Sequence, residues 1–153
     1  MYMIATTDSL QRLCDAAAKA TALLSAAGDD LVADLGLSAA RVQILDVLAA
    51  RGPRTVSQIA RSLGLSRQAV QRVAGDLVAH RFATYANNPD HARAPLVTMT
   101  DQGRAAQAEA ARRKALWRET LADGLTPTWL DMASELMTLI ARRAGKNAHQ
   151  THS

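Results

Sequence analysis

The stretch VSQIARSLGLSRQAVQRVAGDL, Val56 to Leu77, decides the fold of this 153-residue chain. It reads as two short helices broken at one glycine. Thr55 or Ser57 can cap the first, which runs to Leu63, and Gly64 closes it in the left-handed backbone conformation that other residues resist. Ser66 then caps a second helix from Arg67 to about His80. Two helices that cross steeply through so short a turn need a small residue where the second lies over the first, and Ala60 stands four residues before Gly64. Ile59, Leu63, Leu65, Val70 and Val73 fall where the helices face each other or the core. Seven positions, Ala60 and Gly64 among them, agree with one template, the helix-turn-helix.

With Val70, Val73 and Leu77 turned inward, Arg67, Gln68, Gln71 and Arg72 face outward near the start of the second helix. A helix so placed lays its N-terminal residues against base edges in the major groove of double-stranded DNA. Arginine forks onto guanine, glutamine onto adenine. The amides around Ser66 can meet a phosphate, helped by the helix dipole. Arg54, Thr55 and Ser57, at the start of the first helix, are expected as further phosphate contacts. Beyond the second helix the period changes. In ATYANNPDHARAPLVTMT, Ala83, Tyr85, Leu96, Val97 and Met99 predict two short strands around an Asn-Asn-Pro-Asp turn. A hairpin there is a wing, and Arg93 beside the turn is placed to reach a minor groove, with Asp90 as its salt-bridge partner.

Charge follows the same geography. Residues 1–50 carry three basic and six acidic side chains, residues 51–93 seven and two, residues 94–153 eight and six. All seven bases of the middle window are arginine, the residue best matched to phosphate and guanine. Elsewhere the chain reads as helix: 48% of residues are hydrophobic but only 3% aromatic, and alanine makes up much of the apolar share. Asp8 or Ser9 can cap a first helix to about Ala27, with Leu10, Leu13, Cys14, Ala17, Thr21 and Leu24 as one apolar stripe, ended by AGDD. Leu31, Val32 and Leu35 suit a short packed turn. Ser38 opens a broad-faced, central helix that Gly52 closes. Thr100 or Asp101 opens a long helix, and Thr126-Pro127 a last one, with Trp129, Met132, Leu136, Leu139 and Ile140 along one side.

From about Ser38 to Gly103 the chain resembles the winged-helix core of the MarR family of bacterial transcription regulators. The resemblance rests on TVSQIARSLGLSRQAVQRVAGDLVAHRFA and on NNPDHARAPLVTMTDQG, whose end matches the family's strand followed by Leu-Thr-x-x-Gly. The flanking helices fit as well. The resemblance implies a mainly α fold with a small β-hairpin wing. About 38–103 form the winged helix-turn-helix and about 8–35 and 101–145 the dimerisation helices, in one domain with a disordered tail at 146–153. It further implies a homodimer, a repressor on a pseudo-palindromic operator, released by a small aromatic or anionic effector; the cytoplasmic location is expected from the residues themselves, which show no signal peptide and no membrane span. At the wing the chain departs from the family's Asp-Arg-Arg, showing His91-Ala92-Arg93, one arginine fewer.

The dimer also follows from the residues themselves. The first and last helices are longer than so small a winged helix needs, and their apolar stripes must be covered; two copies related by a twofold axis would set their second helices about 34 Å apart. Cys14 lies in the helix where some family members sense peroxide, which makes a thiol-based regulator one alternative. Its place on the apolar stripe, with no tyrosine between Tyr2 and Tyr85, favours plain packing. A winged-helix protein-interaction module, an antirepressor, is the other. The sequence carries no nucleophile–base pair or phosphate loop of an enzyme, no metal-ligand spacing outside His149 and His152 in the polar tail, and no run long enough for a membrane span.

Overall fold

The structure, a computed structural model, describes residues 2–148, with side chains described over residues 6–145. The elements run α1 (Tyr2–Asp30), a 3-10 turn (Ala33–Leu35), α2 (Ala39–Arg51), β1 (Arg54–Thr55), α3 (Val56–Leu63), α4 (Arg67–Ala79), β2 (Ala83–Ala86), β3 (Leu96–Met99), α5 (Asp101–Ala122) and α6 (Pro127–Ala148). The chain divides into two compact units, residues 1–114 and 115–153. The fold is mainly helical with one small antiparallel sheet, as the sequence predicts.

The core lies in the first unit. The broad apolar face of α2 supplies Val42, Ile44, Leu45 and Leu48, α3 supplies Ile59 and Ala60, and α4 supplies Val70, Ala74 and Leu77. Val32, Leu37, Phe82, Ala83, Val97 and Ala110 complete the same cluster. Each fully buried branched side chain contributes about 1.5–3 kcal/mol, so the helix-turn-helix is held by α2 beneath it more than by its own short helices.

Local chemistry sets the breaks. Thr55 Oγ1 accepts from the Gln58 amide at 3.2 Å and Gln58 Oε1 accepts from the Thr55 amide at 2.9 Å, a reciprocal capping box at the start of α3. Of the two expected caps, Thr55 is the one used. Gly64 ends α3 at φ 65°, in the left-handed region, and the next amide, Leu65, donates back to the Ala60 carbonyl at 3.0 Å. Ser66 Oγ then accepts from the Ala69 amide at 3.1 Å and opens α4. Leu65 departs from expectation: it is 48% exposed, because it sits in the turn itself, past the last residue that α3 can aim at α4.

The far end of α4 closes without glycine. Arg81 takes φ 63°, its amide donates to the Val78 carbonyl and the Phe82 amide to the Leu77 carbonyl. That is a Schellman closure on a residue with a side chain. It reverses the chain into β2. The sheet order is β1-β3-β2, antiparallel throughout, with Arg54 opposite Val97 on one side and Tyr85 opposite Val97 on the other. The third strand, β1, has two residues and no room for an alternating pattern, so it was not among the expected elements.

Thr100 fixes the wing to α5. Its Oγ1 donates to the Arg81 carbonyl at 2.7 Å and accepts from the Gly103 amide at 3.0 Å, while its amide donates to the Phe82 carbonyl at 3.1 Å. The Thr-x-x-Gly at the end of the wing is therefore a cap and a close backbone approach in one.

Helix α1 differs from expectation at both ends. It starts at Tyr2, with Asp8 and Ser9 inside it, because nothing between Tyr2 and Ser9 stops a helix from extending upstream of those would-be caps. It also runs through Gly28 to Asp30, and the Asp29 carboxylate accepts from the Ala39 amide at 2.6 Å, a second cap on α2 beside Ser38. Cys14 is exposed. The expectation that it packs on the stripe is not met within the chain, since nothing in the first unit covers that part of α1. Helix α6 continues to Ala148, three residues into the expected tail; His149 and His152 lie outside the described residues.

Polar ties hold α5 to the core of its unit. Asp46 of α2 accepts from Gln107 at 3.0 Å and pairs with Lys114 at 3.1 Å. Arg113 reaches Asp34 at 2.6 Å, Glu109 at 2.8 Å and the Leu31 carbonyl at 3.0 Å. Arg112 and then Arg113, by hydrogen bonding, hold the Glu109 carboxyl down to about 2. A depressed carboxylate contributes stability that is present above its ordinary value of 4.5 and is lost as pH falls toward 2. The urea midpoint of Glu109→Gln is accordingly expected to lie below wild type at pH 6 and to converge with it between about pH 4 and 2.

Candidate nucleic-acid interface

Four parts of the first unit carry the expected contact residues: β1 with Arg54 and Thr55, α3 with Ser57, α4 with its cap Ser66, and the wing loop with Asp90 and Arg93. Arg67, Gln68, Gln71 and Arg72 are all exposed, while Val70, Ala74 and Leu77 of the same helix are buried. The helical period turns Gln68 and Arg72 away from 70, 74 and 77, whereas Arg67 shares their stripe and is exposed because it is the first residue of α4. Ser66 spends its hydroxyl on the Ala69 amide, so its role is to set where α4 begins.

Two clefts flank the start of α3. One, of about 260 Å³, lies between α4 and the wing and is lined by Thr55, Ser57, Arg67, Gln71, Tyr85 and Arg93, among others. The structure thus brings together five residues that the sequence assigned to three separate contacts. The other, of about 530 Å³, lies between α3 and the wing loop, with Arg54, Arg61, Asp90 and His91 on its walls. Gln68 and Arg72 line neither and stand on the open face of α4.

The wing loop is closed from inside. Asn88 is 8% exposed; its Nδ2 donates to the Ala94 carbonyl at 2.8 Å and its Oδ1 accepts from the Asp90 amide at 3.1 Å. Asp90 forms no ion pair with Arg93, contrary to the expected salt bridge: the Asn88 bond ties its backbone into the turn. Arg93 is left with its charge uncompensated. The same holds across the face. Among the described residues the ion pairs draw on Arg41, Arg104, Arg112, Arg113 and Lys114, and none on Arg54, Arg61, Arg67, Arg72 or Arg93. Arg41, Arg104, Arg112 and Arg113 neutralise carboxylates of their own chain, while Arg54, Arg61, Arg67, Arg72 and Arg93 carry no carboxylate partner among the described residues and remain available to an anionic one. Arg41 donates to the Gly36 carbonyl at 2.9 Å and ties α2 to α4 through Asp76 at 3.9 Å.

Residues 35–94 match the sequence model of the MarR family. An uncharacterised protein of Mycobacterium tuberculosis, Rv2011c, is 38% identical over 124 residues, spanning 81% of this chain and 86% of that one. The chain belongs to the MarR family. The same backbone occurs in the MarR family transcription regulator SP03579, with a TM-score of 0.84 at 20% identity over 97% of this chain and 98% of that one. It occurs again in reduced AbfR, a structure bound to DNA, with a TM-score of 0.78 at 16% identity over 94% and 99%. At such identities the likeness is one of fold. The MarR winged helix here is α3 and α4 with the wing of β2 and β3. No group of three metal-binding side chains and no helix long and apolar enough to cross a membrane occurs among the described residues.

Two residues of the MarR face escaped the sequence reading. Arg61 belongs to it by lying one turn and a half into α3 on the side of the cleft, a position that the helical period encodes. Tyr85 belongs to it because β2 carries it onto the α4 side of the sheet, which only the strand register shows.

Proposed function

We propose that this MarR-family chain is a sequence-specific regulator of transcription that binds double-stranded DNA as a homodimer and represses by occupying a pseudo-palindromic operator. In this reading α4 enters the major groove, with Arg67, Gln68, Gln71 and Arg72 toward base edges, and Arg93 of the wing lies along the neighbouring minor groove. Arg54, Thr55 and Ser57 meet the phosphates between them. The single observation that supports it most is the cleft in which Thr55, Ser57, Arg67, Gln71 and Arg93 converge from α3, α4 and the wing. Five arginines with no carboxylate partner among the described residues suit an anionic partner, and duplex DNA presents phosphates along both grooves.

The test is selection of bound duplexes from a random pool, followed by titration of the selected duplex at rising salt. A sequence-specific site is expected, with log K falling linearly with log salt at a slope near −0.9 for each phosphate neutralised. Arg67→Ala and Arg72→Ala are each expected to weaken the selected duplex by about 1–3 kcal/mol and to relax the preference at one base pair per half-site. Equal binding of selected and random duplexes would remove α4 from the reading.

A further inference from the structure

We infer that Tyr85 fixes the carboxamide of Gln71 and through it selects adenine over guanine at one base pair of each half-site. The inference rests on the DNA-binding reading above and adds to it a residue outside α4. It starts from a contact across fourteen residues of sequence: Gln71 Nε2 donates to the phenolic oxygen of Tyr85 at 3.2 Å.

The register explains why Tyr85 is there. Directly opposed residues of an antiparallel pair share a face, so Tyr85 lies on the same side of the sheet as Val97, and two residues along from Ala83. Val97 and Ala83 are buried, whereas Tyr85 is 38% exposed. It therefore stands where the core-facing side of the sheet runs out into the cleft beside α4, and its hydroxyl meets Gln71 at that edge.

The consequence is a matter of donors and acceptors. A free glutamine side chain offers two amide hydrogens and a carbonyl oxygen, and it swivels about three bonds. Bonding one amide hydrogen to Tyr85 leaves one hydrogen and the oxygen, side by side in one plane. That pair complements the major-groove edge of adenine, which presents the N7 acceptor next to the N6 donor. Guanine presents two acceptors, N7 and O6, and would need two hydrogens from the same amide. With one of them held by Tyr85, guanine meets an oxygen where it needs a donor. Because the phenol accepts from Gln71, its own hydrogen is free to donate to a phosphate oxygen at the edge of the groove. Arg67, one turn earlier on α4, lines the same cleft, so the held amide sits beside a cation that places the backbone of the duplex.

The experiment uses the full chain and the duplex that wild type selects from a random pool. Each A·T pair of a half-site is replaced by G·C in turn, and binding is read by fluorescence anisotropy for wild type, Gln71→Ala, Tyr85→Phe and the double variant. Tyr85→Phe removes one oxygen and keeps the ring on the sheet. At one position the replacement is expected to weaken wild type roughly 5- to 150-fold, and to weaken both single variants by only about threefold or less. The double variant is expected to discriminate no worse there than Gln71→Ala, and the salt slope of Tyr85→Phe to equal that of wild type, since a neutral phenol releases no counterion. Full wild-type discrimination retained by Tyr85→Phe at the base pair that Gln71→Ala relaxes would overturn the inference. So would a loss of affinity spread evenly over all positions, which is what a merely structural role produces. If wild type selects no sequence at all, the DNA-binding reading itself falls, an outcome visible before any variant is made.

Discussion

Gly103→Ala is expected to cost about 3 kcal/mol or more of folding free energy, roughly 10 °C in Tm for a chain of this length, as read by urea or thermal unfolding. A methyl group built on Gly103 would lie 1.9 Å from the Phe82 carbonyl oxygen and 2.9 Å from its carbon. Contacts this close cannot stand, and the neighbour is backbone with no rotamer to change. Nor is that backbone free to retreat. The Phe82 carbonyl accepts from the Thr100 amide, the Phe82 amide donates to Leu77, and the ring is part of the core. Relief must come by drawing the start of α5 away from the end of α4, which breaks the Thr100 bonds to the Arg81 and Phe82 carbonyls. Gly75, with nothing within 4 Å of the added carbon, is the control: Gly75→Ala is expected to hold or raise stability by a few tenths of a kcal/mol up to about 1 kcal/mol, since alanine suits a helix interior better. Equal stability of the two variants would refute this account of the wing junction.

Much of the helix-turn-helix was legible in the sequence because its signals are local. A serine or threonine cap acts on an amide three residues on, so Thr55, Ser66 and Ser38 could be read directly. The outward turn of Gln68 and Arg72 follows from the helical period in the same way. What stayed hidden is made between distant residues. Nothing near Gly103 in sequence announces Phe82, and nothing near Arg81 requires a left-handed residue; both follow from how α4 hands over to the sheet. The Gln71–Tyr85 bond depends on the register of β2 against β3, which one-residue slips would reverse. Asp8 and Ser9 misled because a cap residue ends a helix only where the preceding chain turns aside, and residues 2–8 continue it. Of the α1 stripe, Leu10, Cys14 and Leu24 are exposed, so the pattern there points to a surface beyond the chain's own core.

A second exposed stripe, on α6, supplies the second large expectation: Leu136→Glu is expected to convert the protein to a folded monomer and to weaken operator binding by roughly 10²- to 10⁴-fold. Every residue of α6 from 127 to 139 is exposed within the chain. Trp129 and Met132 are 63% and 64% exposed, and Leu136 and Leu139 continue the same side at spacings of three and four. An isolated helix of this length is marginal in water, and an apolar stripe is what a partner covers. In the proposed homodimer the contact is isologous, so one substitution places two carboxylates in the apolar seam with no cation among the stripe residues to pair them. Burying such charges unpaired costs several kcal/mol, more than a helical seam withstands. Because Leu136 is exposed in the single chain, the winged helix should keep its circular dichroism and its own Tm. Only the coupling of two half-sites is lost, and with it the gain from binding both at once. Sedimentation of the variant at micromolar concentration reads the first effect and anisotropy on a full and a half operator reads the second. A variant that stays dimeric, or a monomer that binds the full site as tightly as wild type, would place the partner surface elsewhere.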